Sequence, residues 1–228
     1  MSEDKSLSDK ARLAELGLMT ATLSHELRQP LFAIRSLSQI LSARLDGEHS
    51  ELSGELLRQV DYLGTLVEGI TTYARHTNGE PGPVDSGAVL DQAAELLRHR
   101  GKRRGVTLDV QRDHRAPAAR GDHVAMMQVV VNLVNNAIDA SPADATVSLL
   151  NEFVGDRVFL EVRDRGPGID PAIRERVFEP FFTTKAPGRG TGLGLAISRE
   201  LVERCGGTLE LLDASPGTRV RVGLPRWS

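Results

Sequence analysis

Apolar residues recur through the first third of the chain at alternating spacings of three and four. Positions 13, 16, 20, 23, 27, 30, 34, 37 and 41 hold Leu, Leu, Thr, Leu, Leu, Pro, Ile, Leu and Leu. A second run at 52, 56, 59, 63, 66, 70 and 73 holds Leu, Leu, Gln, Leu, Leu, Ile and Tyr. Each run predicts a long helix with a narrow apolar seam. The intervening stretch Asp46–Ser50 is short enough to predict an antiparallel helical hairpin. Two such helices bury little surface by themselves, so the seams are expected to meet a second copy in a dimeric four-helix bundle.

Near residue 78 the pattern changes. A turn-rich stretch, Asn-Gly-Glu-Pro-Gly-Pro, opens a linker. Beyond it the periodicities predict a helix at about 86–100, a strand at 105–111, a helix at 121–140 and strands at 145–153 and 157–163. A loop-rich stretch follows, then a helix at about 193–205 and strands at 207–213 and 218–224. The expected class is α+β: a helical hairpin at 10–77, a linker at 78–85, and an α/β sandwich at 86–228 whose mixed sheet is covered by helices. Residues 1–9 are polar and are expected to be disordered.

Composition narrows the functional classes. With 40% hydrophobic and 26% charged residues among 228, the chain is an ordinary globular protein. No stretch approaches the ~18–20 uninterrupted apolar residues of a spanning helix, and the polar start MSEDKSLSDK is no signal peptide. A net charge of −3 and 4% aromatic residues argue against a nucleic-acid binder. The basic run Arg98–Arg104 is expected to be a solvated helix end. The single cysteine, Cys205, leaves no disulfide framework and fits a reducing cytoplasm.

Two regions carry candidate chemistry. His25 falls two residues past the seam position Leu23, on the outward side of its helix. Glu26 can accept from one ring nitrogen and leave the other nucleophilic, Gln29 lies one turn on, and Pro30 interrupts the backbone ladder. The second region holds four elements in order, with no P-loop anywhere. Asn132 and Asn136 share a helix face and offer hard amide oxygens suited to Mg²⁺. Asp164, with Gly166 and Gly168 beside it, follows a strand and can accept from an exocyclic amino group. Phe178-Glu-Pro-Phe-Phe-Thr-Thr-Lys185 can anchor a mobile segment, with Lys185 in reach of phosphates. Gly188, Gly190, Thr191, Gly192, Leu193 and Gly194 run into a helix and can cradle phosphates on backbone N–H groups. Singly, these read equally as solvated asparagines, a plain turn, core phenylalanines and a flexible loop. Their joint order is the signal.

The segment Ser24-His-Glu-Leu-Arg-Gln-Pro-Leu31 resembles the phosphoacceptor box of sensor histidine kinases. The four later elements resemble the N box, F box and two glycine boxes of the ATP-binding superfamily that those kinases share with gyrase-type topoisomerases, heat-shock chaperones and mismatch-repair ATPases. Their wording is closest to kinases that sense oxygen and dicarboxylates. This resemblance implies transfer of the γ-phosphoryl of ATP to His25, with Glu26 as base or orienting acceptor. It implies Mg²⁺ on Asn136 helped by Asn132, adenine read by Asp164, and a lid over about 170–191. It further implies a homodimer, an upstream sensor protein, and delivery of the phosphoryl group to an aspartate on a response-regulator receiver domain. The hydrolysing relatives carry glutamate where this chain has Asn132, which favours kinase over ATPase motor. Gln29 stands where many relatives have Thr or Asn to position water for dephosphorylating the partner, and its longer reach changes that geometry. Two other readings are a serine kinase of the anti-sigma-factor type, which lacks the hairpin, and a degenerate phosphotransfer scaffold. The first helix begins within about ten residues of Met1, which leaves either a stand-alone kinase or an excised core.

Overall fold

A computed structural model describes residues 31–40, 54, 56, 60, 63, 64, 81–185 and 191–228. By its contacts the chain divides into two compact units, Met1–Asn78 with Pro180–Leu193, and Gly79–Glu179 with Gly194–Ser228.

In the first unit, residues 31–40 are helical, as are the described positions between 54 and 64. Ser38 and Val60 are buried, whereas the predicted seam positions Ile34, Leu37, Leu56 and Leu63 are 43–61% exposed. Among the described residues, these four seam positions are not buried within the chain. The predicted turn at 46–50 lies outside the described residues.

The second unit is built on a five-stranded sheet. Its strands are β2 (Thr107–Gln111), β4 (Thr146–Val154), β5 (Arg157–Arg163), β6 (Thr208–Leu212) and β7 (Arg219–Pro225), in the order β2-β4-β5-β7-β6. Only β2 and β4 pair in parallel, and the rest are antiparallel. A parallel pair needs a long crossover, supplied here by the segment that contains α2 (His123–Ala140). Helices α1 (Ser86–Arg103) and α3 (Gly194–Arg204) complete the helical layer. A separate two-stranded ribbon joins β1 (Gly82–Val84) to β3 (Ala119–Gly121). Sequence periodicity misses both of these strands, because three residues are too few to show a period. Two short 3₁₀ turns, Pro171–Ile173 and Arg176–Phe178, lie in the stretch read as loop.

Alternation along the strands sends one set of side chains under the helices. Val147 and Leu149 of β4, with Val158, Leu160 and Val162 of β5, are 0–3% exposed. The helices packed on this face contribute Leu90 of α1 and Met126, Val130, Val134 and Ile138 of α2, all nearly inaccessible. Helix starts are fixed locally: Asp85 accepts from Ala88 N at 2.9 Å, and Asp122 accepts from Ala125 N at 2.8 Å. At the other end of α2, Ser141 Oγ donates to Ala137 O at 2.7 Å. The basic helix end does more than face water: Arg100 pairs with Asp139 at 2.8 Å, which ties the last turn of α1 to the last turn of α2.

On the opposite sheet face Glu161 is 3% exposed and accepts from three guanidinium groups, those of Arg163, Arg219 and Arg221. The pairing register makes this inevitable, since Glu161 lies opposite Arg221 and Arg163 opposite Arg219. Burial pushes the Glu161 carboxyl up, but the bonds from Arg219, Arg163 and Arg221 outweigh it and hold the pKa below the usual glutamate value.

Candidate functional site

Helix α2 arrives at the site because its apolar positions, Ala125, Met126, Val129, Val130, Leu133, Val134, Ala137 and Ile138, point to the core. That leaves Asn132, Asn135, Asn136 and Asp139 on the remaining face, all half-buried. Asn132 Nδ2 donates to Ser198 Oγ of α3 at 3.0 Å. Asn135 was not singled out by sequence reasoning, and its Oδ1 is buried without a hydrogen-bond partner. Asp139 is engaged by Arg100.

Asp164 follows directly on β5 and is 8% exposed. Its Oδ1 accepts from Gly166 N at 2.8 Å and Thr218 N at 2.9 Å, while its own N–H donates to Thr218 O at 2.9 Å. The carboxylate is thus clamped through one oxygen, and no hydrogen bond among the described residues uses Oδ2. The turn before β7 closes on it at Gly217, whose φ of +100° belongs to the left-handed region and whose Cα lies against the Asp164 carbonyl. Gly166 lies against the end of α2, where a Cβ would stand 2.6 Å from Ala140 O. Its smallness serves packing of the loop on α2, and Gly168 abuts Gly217 in the same way at 3.1 Å. Thr218 and Ser198 are the partners that the sequence did not reveal, because the bonds that recruit them span 54 and 66 residues.

Phe178 is buried and carries the Arg199 guanidinium 3.7 Å from its ring centroid. This contact pins the F-box start to α3. In the other unit, Phe181 has a φ of +67° and Gly192 one of +67°, and the two backbones touch. Lys185 N donates to Thr183 Oγ1 at 3.1 Å, Leu193 N donates to Thr191 Oγ1 at 3.4 Å, and Leu193 is buried. Gly194 is the first residue of α3 and packs on the Asn132 side chain. His25, Glu26, Gln29, Gly188 and Gly190 lie outside the described residues.

Chemically, the second unit offers one anionic oxygen in a buried turn and a row of amides on one helix face. Among the described residues no three His, Cys, Asp or Glu side chains gather into a metal cluster. A divalent cation here would draw on amide oxygens and take its remaining ligands from water and a phosphate, the mode Mg²⁺ favours. The unpartnered Oδ1 of Asn135 fits that donor set.

Comparison with known proteins gives two family matches. Residues 15–79 match the His Kinase A (phospho-acceptor) domain. Residues 121–228 match the family described as histidine kinase-, DNA gyrase B- and HSP90-like ATPase. The two-component sensor PprA of Pseudomonas aeruginosa is 35% identical over 96% of this chain and 25% of its own length. A solved structure of full-length ShkA in complex with AMPPNP aligns with a TM-score of 0.72 at 30% identity, over 91% of this chain and 45% of that one. The mycobacterial sensor histidine kinase MprB aligns with a TM-score of 0.57 at 32% identity, over 65% of this chain and 99% of that one. The chain spans between a quarter and a half of the curated relatives it matches.

Proposed function

This chain belongs to the histidine kinase family, and from that premise we propose that it is a protein-histidine kinase core that phosphorylates itself on His25 and passes the phosphoryl group to a response-regulator aspartate. The observation that carries this reading is the joining, in one chain, of a phospho-acceptor match at 15–79 and an ATPase-type match at 121–228. We read 10–77 as the dimerisation and phosphotransfer hairpin, 78–85 as linker and 86–228 as the catalytic domain. The exposed seam at Ile34, Leu37, Leu56 and Leu63 supports pairing with a second copy.

In this reading Asp164 reads adenine. Its Oδ1 is already committed to two backbone N–H groups, so the spare Oδ2 can accept from the exocyclic amine. Asn136 holds the cation, with Asn132 assisting from one turn away. Mg²⁺, when bound, neutralises phosphate charge. Lys185 and the backbone N–H groups of Gly188–Gly194 are the groups we assign to the phosphates, and the segment around 170–191 the lid. A ring nitrogen of His25 attacks the γ-phosphorus, the bond to the bridging oxygen breaks, and ADP leaves. Glu26 accepts the proton that the ring gives up, and Gln29, four residues on from His25 in sequence, takes the position from which many relatives orient water to dephosphorylate the partner. Phosphoryl transfer is chiefly positioning and charge stabilisation, which is what a rigid Asp164 clamp and a fixed α2 supply.

The same reading gives the chain a sensor as its input partner, a receiver domain as its output partner and the cytoplasm as its location. No described helix is long and apolar enough to cross a membrane. The test is incubation with ATP labelled in the γ-phosphate. An acid-labile, alkali-stable label is expected on the wild type and none on His25→Ala, which should still bind ATP. An acid-stable label, or persistent labelling of the variant, would overturn the assignment.

A further inference from the structure

Asn132 and Asn136 lie one turn apart on α2, yet the structure treats them differently. The Asn132 amide nitrogen donates across to Ser198 Oγ at 3.0 Å. Ser198 is 2% exposed and belongs to the second turn of α3. The rest of the Asn132 amide lies against Gly194, where any Cβ would collide with it. One side chain of α2 therefore touches α3 at two points, its first residue and a serine one turn in. The space left by glycine lets the helices come that close, and the part-buried hydrogen bond sets their register.

We propose that Asn132 and Ser198 form a positioning pair: the bond between them fixes the start of α3 relative to Asn136 and holds the Asn132 amide in one orientation. This rests on the nucleotide-site reading above and assigns within it a residue, Ser198, that the motifs do not mark. An amide that donates its N–H to a buried hydroxyl is held in one rotamer, and a misplaced helix end would spoil the alignment of metal and phosphate. A hydroxyl on a residue that is 2% exposed also needs a partner, and Asn132 supplies one.

The pair predicts non-additivity, which two independent contacts would not show. Ser198→Ala removes one oxygen and places the best helix former in a helix, so the fold should hold. MgATP affinity is measured by calorimetry for the wild type, Ser198→Ala, Asn132→Ala and the double variant, and again with ATP in excess chelator. Each single variant should weaken MgATP binding roughly three- to tenfold, the size of one hydrogen bond. The double variant should be no worse than either single one, and metal-free ATP binding should fall by less than MgATP binding does. If Ser198→Ala binds MgATP like the wild type, or if the losses multiply in the double variant, the pairing is wrong. An equal loss with and without metal would mark the bond as merely structural and would also overturn the proposal. A wild-type chain that takes up no MgATP would overturn the functional reading and this inference with it, an outcome recognised from the wild type itself.

Discussion

Substituting Asp164 by Asn and by Ala separates the part its carboxylate plays in the fold from the adenine reading proposed for it. Oδ1 serves the fold, accepting from Gly166 N at 2.8 Å and Thr218 N at 2.9 Å inside a residue that is 8% exposed. Oδ2 takes part in neither bond and is the oxygen assigned to adenine. Asn can keep a carbonyl oxygen on both N–H groups, so its cost to folding is the difference between charged and neutral acceptors, about 1 kcal/mol. Ala strips the acceptor from two enclosed N–H groups and should cost about 2–4 kcal/mol. Nucleotide binding should order the variants differently. In Asn the nitrogen replaces Oδ2 and faces the adenine amine donor to donor, a loss of about 3 kcal/mol or roughly a hundredfold in affinity. Inosine triphosphate carries a carbonyl in place of that amine, so Asp164→Asn should bind it no worse than the wild type does. Urea unfolding gives the first quantity and calorimetry the second. If Asp164→Asn binds ATP as tightly as the wild type while the fold is intact, Asp164 does not read adenine.

Asn136→Ala should leave metal-free ATP binding close to wild type and abolish the gain that Mg²⁺ brings; calorimetry with and without chelator decides it, and an undiminished Mg²⁺ effect would remove Asn136 from the metal site. Glu161 gives a pH prediction. Its pKa is lowered in the fold, so its stabilisation is fully present above the unfolded value, about 4.3, and is lost as pH falls through the lower folded value. Glu161→Gln should cost on the order of 1–3 kcal/mol at neutral pH, less than a fully buried pair because the three guanidinium groups are 22–46% exposed. The penalty should shrink as unfolding is measured at pH 4 and then pH 3; a penalty constant with pH would mean that the arginines do not stabilise the charge.

Much of the second unit is legible in the residue pattern. Strand 157–163 is read to the residue, and the helices over 86–100, 121–140 and 193–205 are read to within three residues at either end, because long periodic segments carry their own signal. Elements too short to show a period, β1 and β3, are missed. The parallel pairing of β2 with β4 is also invisible, since it depends on a crossover that returns the chain to the sheet. The hairpin seam shows a different limit. Its period is plain, but whether Ile34 and Leu37 are covered depends on what lies beyond one chain, and within the chain they are exposed.

The site divides along the same line. Residue types and order marked Asn132, Asn136, Asp164 and the glycine run, because a ligand's chemistry restricts which side chains can serve it. What each atom is free to do came from folding. The turn at Gly217 brings Thr218 N onto the Oδ1 of Asp164 that Gly166 N already holds, the crossing of α2 and α3 gives Asn132 to Ser198, and the strand register gathers three arginines on Glu161. Sequence fixes the chemical inventory because it is local and additive; orientation and partnership arise between segments dozens of residues apart, and only packing decides those.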